Sequence, residues 1–319
     1  MTTGVLRRVL GKLGALLLTL FLASVVIYSA ILLTPGDPVV ALAGGVRPTP
    51  ELIAVIKAEH HLDQPVWIQY LYWVGGVLTG DFGTSFVYKT PVVDLIGSRF
   101  GITLLLVLYT VLLIVVFGVG SGILAARRRG AAEKAVLVGT SVGVAMPTFV
   151  VAILLIFIFG RLLGWFPVFG AGEGLLDNLY HLTLPAISLS VLYIAYVSRI
   201  TRGAIVAQAH SEHVDTARVR GIPSERIFRN HVFLNASPQI LAISGTTIAG
   251  LFAVSAIAEQ AFGIGGIGSL LTEAAARKDL PVVQILSLLL VALFVVLNAV
   301  VDVVIAFIDP DSARSRRTA

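Results

Sequence analysis

Cysteine is missing from all 319 residues. That excludes a disulfide framework, a thiolate metal site and a cysteine nucleophile. Charge is scarce too: Asp, Glu, Lys and Arg make up 13% of the chain, against about 25% in a soluble domain. With 57% hydrophobic residues and a mean hydropathy of +0.93, the chain falls outside the water-soluble globular class. The phosphate loop G-x-x-x-x-G-K-[ST] is lacking, which argues against ATP hydrolysis on this chain by that route. H-E-x-x-H does not occur. His210 and His213 have no third ligand at helical spacing, and the adjacent His60 and His61 would point about 100° apart on a helix, so no metal site is expected. Internal repeats and low-complexity runs are absent, and missing period-2 alternation argues against a β-barrel.

What the chain does have is long apolar runs. Nearly charge-free stretches cover Leu13–Leu33, Phe100–Ala126, Ala135–Gly160, Leu182–Ser198, Val232–Ala258 and Leu280–Val301. About 20 apolar residues cross about 30 Å of hydrocarbon, and lipid offers no partner to free backbone groups, so the expectation is six transmembrane helices. Leu182–Ser198 is the shortest, with Pro185 read as a first-turn residue, where proline costs little. A net charge of +5 is a common mark of nucleic-acid binders, but its placement here points to topology instead. With a cytoplasmic N-terminus, 16 of the 23 Lys and Arg residues fall inside and 7 outside. By the positive-inside rule both termini are cytoplasmic in a multi-pass membrane protein. The first apolar run, with Arg7, Arg8 and Lys12 ahead of it, is too long for a cleaved signal core and reads as an anchor.

Two segments lie outside the spans. In residues 34–99, Thr49-Pro50-Glu51 opens a short helix toward His60. A second helix starts near Pro65 and carries Trp67, Tyr70, Tyr72 and Trp73. Those aromatics suit either the headgroup level or packing on a neighbouring helix. In Arg199–His231 polar residues dominate. Glu212–Arg220 fits one short helix, Gly221 its cap, and Pro223-Ser224 the start of another. Asp215 with Arg218, and Glu225 with Arg229, have pairing distance on a helix. This elbow reads as a surface for another protein or for lipid. Two further sets are candidates. Glu259, Phe262 and Gly263 open a glycine-rich stretch that reads as a gate or pathway loop, or as an ordinary turn. Asn298 and Asp302 sit in the last span, Asp302 as an intramembrane acid in a structural role.

Asp215-Thr216-Ala217-x-x-x-Gly221, followed by His231-x-x-x-Asn235-Ala236-x-Pro238, resembles the EAA loop of ABC importer permeases. The chain is most similar to the dipeptide/oligopeptide/nickel branch. Pro35-Gly36-Asp37-Pro38, Leu62-Asp63-Gln64-Pro65, Gly80-Asp81-Phe82-Gly83-Thr84-Ser85, Trp165-Phe166-Pro167, Leu184-Pro185-Ala186, Pro281-Val282-Val283-Gln284 and Asn298-x-x-x-Asp302 with Asp309-Pro310 extend the likeness over nearly the whole chain. Asp215 replaces the family's usual Glu, and His60-His61 stands where a glycine is common.

The resemblance implies an all-α type I importer permease with a small extracellular segment between helices 1 and 2. Its parts would be residues 1–34 (N-tail and first helix), 35–99 (extracellular), 100–309 (core, containing the 199–236 coupling loop) and 310–319 (C-tail). Glu212, Asp215, Thr216, Ala217, Arg218 and Gly221 would couple to an ATPase. The implied partners are a homologous second permease subunit, two ATP-binding subunits that hold ATP and Mg, a substrate-binding protein and the bilayer. Peptides are the expected cargo, with nickel, glutathione or another small solute as the alternative. A secondary transporter or channel would predict intramembrane acids and repeats, which the sequence does not offer.

Overall fold

A computed structural model describes residues 2–32, 49–59, 62–128 and 130–308. The sequence motifs at Pro35–Pro38, His60-His61 and Asp309-Pro310 lie outside them. The described residues are helical throughout apart from turns and one isolated bridge, Thr84 with Pro91. We number the helices α1 (Thr2–Leu32), α2 (Pro50–Glu59), α3 (Val66–Thr79), α4 (Val92–Arg127), α5 (Ala131–Ala145), α6 (Thr148–Leu162), α7 (Leu175–Ala209), α8 (Glu212–Val219), α9 (Ser224–Ala261), α10 (Ile267–Ala276) and α11 (Leu280–Ile308). Wide π turns are set into α4 at Ile114–Val119 and α9 at Phe228–Phe233 without breaking either helix, and one ends α6 at Ile156–Leu162.

Among the described residues, α4, α7, α9 and α11 are long and apolar enough to cross a membrane, and the α5–α6 pair makes a fifth if counted as one span. The expected straight span Ala135–Gly160 is therefore corrected to two helices bent by 103°. The cause is local. Proline pushes its predecessor out of the α region and cannot donate a helix hydrogen bond, and both Met146 (ψ 117°) and Pro147 (ψ 141°) are extended. The apolar part of α1, Gly14–Ala30, covers about 26 Å at about 1.5 Å per residue, just short of a full crossing. The supposedly short fourth span is the 35-residue α7, and Pro185 lies well inside it rather than in its first turn. Interior proline normally costs about 3 kcal/mol. Here Leu182, Leu184, Pro185 and Ala186 are all buried, so neighbouring helices hold this stretch in place.

The chain divides into two compact units. Unit 1 comprises residues 1–101 and 266–295. Its core joins Val92, Ile267, Leu270, Val282 and Leu286, with Trp73, Val77 and Phe82 packed on them. The aromatic helix α3 lies on α1: Tyr28 meets Tyr70 edge-on at 5.6 Å, and Ser24 Oγ and Tyr70 OH are 2.8 Å apart. Packing on a neighbour is thus the role of one face, while Trp67 and Tyr72 stay exposed on the other.

Unit 2 comprises residues 102–265 and 296–319. Its central element is α7, which packs against α4, α5, α6 and α9. Gly118 and Gly122, four apart on α4, let that helix approach α7: a Cβ on Gly122 would lie 2.6 Å from Ser198 O and from Thr201 Cβ. Small residues at this spacing are the usual means of close helix crossing in lipid.

Candidate functional site

The elbow is built where α7 ends at Ala209 and α8 turns back. Val214 (0% exposed) and Ala217 (4%) point into a cluster with Ala204, Ile205, Ile227, Val232, Ala236 and Ile240. One face of the elbow helix therefore finds its packing partner within the chain, so only the other face is left as a surface for another protein or for lipid. Ala217 is small because α8 lies against its own core.

After Val219 the chain reverses through Gly221 at φ +72°. Ile222 N–H donates to Ala217 O (3.2 Å) and Gly221 N–H to Arg218 O (3.0 Å). This is the paired 6→1 and 5→2 closure that a left-handed glycine permits. The predicted cap is in place. Glu225, expected to pair with Arg229, instead binds Arg127 through both oxygens (2.6 and 3.3 Å). The Arg127 guanidinium also covers the Phe228 ring at 4.4 Å. The second elbow helix runs on as α9 without a break.

The outward face of α8 consists of Glu212, Asp215, Thr216, Arg218 and Val219. Asp215 and Arg218 pair at 2.8 Å with both side chains more than half exposed, a contact worth about 0–1 kcal/mol. Thr216 Oγ1 donates to Glu212 O. Val219 is 88% exposed, an apolar side chain that none of the described residues covers. Sequence reasoning passed over Val219; the signal was a valine out of phase with Val214 and Ala217 on a helix of 3.6 residues per turn. Arg202 pairs with Glu133, and Arg199 donates to Thr140 and Ser141, so these two arginines tie α7 to α5. His213 Nε2 lies 3.1 Å from Asn235 Nδ2, which itself donates to His231 O (2.7 Å). Two of the motif residues thus lock α8 to the base of α9.

At the other end of α9, Glu259 is fully buried. Thr103 Oγ1 on α4 donates to its Oε1 at 2.7 Å, and Ser255 Oγ at 3.2 Å. Thr103 was not anticipated: the same apolar run also carries Tyr109, Thr110 and Ser121, and nothing local singles it out. Phe262 is 1% exposed and its carbonyl accepts from Gly170 N–H at 2.9 Å. Gly263, at φ +59°, closes α9 with the same pair of bonds as Gly221: Ile264 N–H to Glu259 O and Gly263 N–H to Gln260 O. The glycine-rich stretch is a helix cap leading into α10. Asn298 is half-buried and Asp302 exposed among the described residues, four apart on α11.

Unit 1 holds a carboxylate that the sequence reading missed. Asp279 is fully buried and accepts from Ser85 Oγ (2.5 Å), Phe86 N–H (3.0 Å) and Val87 N–H (3.2 Å). It thereby pins the turn after the Gly80–Ser85 motif to the start of α11. Beside it, burial and then the hydrogen bond to Glu273 push the Tyr88 hydroxyl above its usual range, while Arg99 and Arg277 pull it back.

Comparison with known proteins gives the arrangement its context. Residues 118–314 match the family described as binding-protein-dependent transport system inner membrane component, and residues 1–107 match the N-terminal model of such components. The oligopeptide transport system permease OppB of Escherichia coli is 35% identical over 92% of this chain and 94% of its own length. The glutathione transport system permease GsiC of Escherichia coli is 33% identical over 96% and 98%. A probable peptide ABC transporter permease of Sinorhizobium fredii is 32% identical over 95% and 97%. Among solved structures, an inward-facing MetNI methionine ABC transporter superposes with TM-score 0.55 at 17% identity, covering 67% of this chain and 96% of that one. The chain belongs to the family of binding-protein-dependent transport system inner membrane components, as a permease subunit that is not itself catalytic.

Proposed function

We propose that the chain is one of two homologous permease subunits of an ATP-binding-cassette importer carrying peptides across the cytoplasmic membrane. In this reading α1, α4, the bent α5–α6 pair, α7, α9 and α11 are its six spans, with both termini cytoplasmic. The Lys and Arg asymmetry supports that orientation. Two ATP-binding subunits hold ATP and Mg and dock on the elbow, and a substrate-binding protein delivers cargo from the other side. ATP binding then shifts the inward- and outward-open states only through its different affinity for each.

The observation that carries this reading is α8. One face is locked into the chain by Val214, Ala217 and the Gly221 cap, and the other offers Glu212, Asp215, Arg218 and a bare Val219. A rigid helix with an exposed apolar side chain beside a carboxylate suits a groove on another protein. Glu259, Phe262 and Gly263 terminate the helix that rises from this elbow, which supports a gating role at the pathway's outer end.

Val219→Asp tests docking without disturbing the elbow's own core. A charge forced against a buried apolar contact should reduce co-purification of the ATPase subunits, and substrate-stimulated hydrolysis should fall about tenfold or more. Normal assembly and hydrolysis would show that α8 is not the docking element. For cargo, the relatives named for oligopeptide and for glutathione both point to short peptides. The complete transporter in proteoliposomes should accumulate labelled di- to hexapeptides or glutathione with ATP. Tight coupling with accumulation of neither would overturn the peptide assignment.

A further inference from the structure

Unit 1 contains a cavity of about 470 Å³ that the transport reading does not use. Its walls come from α1 (Leu17, Phe21), α3 (Trp73, Leu78) and α11 (Leu289, Ala292). The polar groups at one end are already engaged. Ser24 Oγ donates to Phe21 O at 2.7 Å, which leaves it to accept from Tyr70 OH at 2.8 Å. We propose that this groove binds one acyl chain of a membrane phospholipid, held between α1, α3 and α11 as a fixed part of the subunit.

Three observations select that occupant. A peptide segment brings N–H and C=O groups that need partners when removed from water, and the Ser24–Tyr70 pair has spent its hydroxyls. A helix is about 10–12 Å across with its side chains, so a cavity of about 470 Å³ admits only about one turn of it. A single hydrocarbon chain is thin enough to lie along the groove. Finally, the groove is continuous with the apolar outer surface of the unit: Leu17, Phe21 and Leu78 line it and are 63%, 55% and 82% exposed. In an inner membrane component an apolar outer surface of this kind suits the hydrocarbon of the bilayer. Tyr28, Tyr70 and Trp73 cluster at the Ser24 end, within 5.6–6.2 Å of one another. Aromatics of this kind belong at headgroup depth, which sets the phosphate beside them and the tail toward Leu17.

The test uses the assembled transporter. After detergent washing, native mass spectrometry should show one retained phospholipid per copy of this chain. The groove-filling double substitution Leu288→Phe with Ala292→Phe should lower retention at least tenfold while the partner subunits stay bound. Independently, Leu289→benzoylphenylalanine, irradiated in cells, should give a phospholipid adduct. A crosslink from that position to the companion permease would overturn the proposal and identify the groove as a helix interface. Full lipid loss from the wild-type complex on washing, or retention undiminished in the filled variant, would overturn it equally. These readouts are independent of cargo, so a wrong substrate assignment leaves them untouched.

Discussion

Among the described residues two acids, Asp279 and Glu259, are fully buried, and each accepts hydrogen bonds from hydroxyl or backbone N–H donors. Asp279 gathers one hydroxyl and two backbone N–H groups from the turn at residues 85–87. Removing it strands all three, at about 1–3 kcal/mol each when left without an acceptor. Asp279→Ala should therefore cost at least about 3 kcal/mol and expose the turn. We expect faster proteolytic nicking between residues 85 and 90 and a lower thermal midpoint. Asp279→Asn keeps one acceptor oxygen and should fall between. Glu259 holds two side-chain hydroxyls from two helices. Glu259→Gln preserves the accepting oxygen and should assemble normally, whereas Glu259→Leu removes it from Thr103 and Ser255. If Glu259 gates the pathway, Gln should alter substrate-stimulated hydrolysis while leaving the melting curve in place. Unchanged transport and hydrolysis in Glu259→Gln would restrict the residue to a structural part.

At the level of elements, the close passage of α4 over α7 depends on an absent side chain. Gly122→Leu would place carbon where Ser198 O and Thr201 already lie within 2.6 Å. Overpacking of this kind costs about 1–3 kcal/mol. Gly120→Ala, two residues away, has open space around the new methyl and should be neutral or stabilising by up to about 1 kcal/mol. Folded yield and thermal midpoint in detergent compare the two. Equal behaviour would show that the crossing tolerates separation.

Helix starts and stops were legible because they are written locally. Thr49-Pro50-Glu51 opens α2, Pro65 precedes α3, and Gly221 caps α8, each as read. Partners distant along the chain were not legible. Glu225 had a plausible neighbour in Arg229, yet Arg127, 98 positions earlier, takes it. Thr103 and Glu259 are 156 apart, Ser85 and Asp279 194 apart, and no periodicity connects them. The bend at Met146-Pro147 was visible as a proline in an apolar run, but hydropathy alone treats such a run as continuous. Ala217 was expected among the ATPase-coupling residues, yet it faces the chain's own core, and which side of α8 it took depended on the cluster beneath it.

For the whole molecule, orientation is the property most open to a direct check. With no native cysteine, single substitutions Thr84→Cys and Ser224→Cys give clean probes, and both positions are exposed. An impermeant thiol reagent applied to intact cells should label the first and not the second. The reverse pattern would invert the topology, and labelling at both would break the six-span reading.

The unbroken course of α9 from Ser224 to Ala261 joins the elbow to Glu259 through backbone alone. At about 1.5 Å per residue, its 38 residues form a rod of about 57 Å. Each residue also advances the helix by about 100°, so the two ends keep a fixed angular phase. One residue inserted between Leu241 and Val254 would leave both ends chemically intact. It would nonetheless swing the Glu259 carboxylate about 100° around the axis, away from the Thr103 hydroxyl, while His213 and Asn235 still gripped the base. Four inserted residues would restore the phase to within about 40°. The tolerance of this helix to changes in length should therefore follow the pitch of the helix rather than the number of residues added.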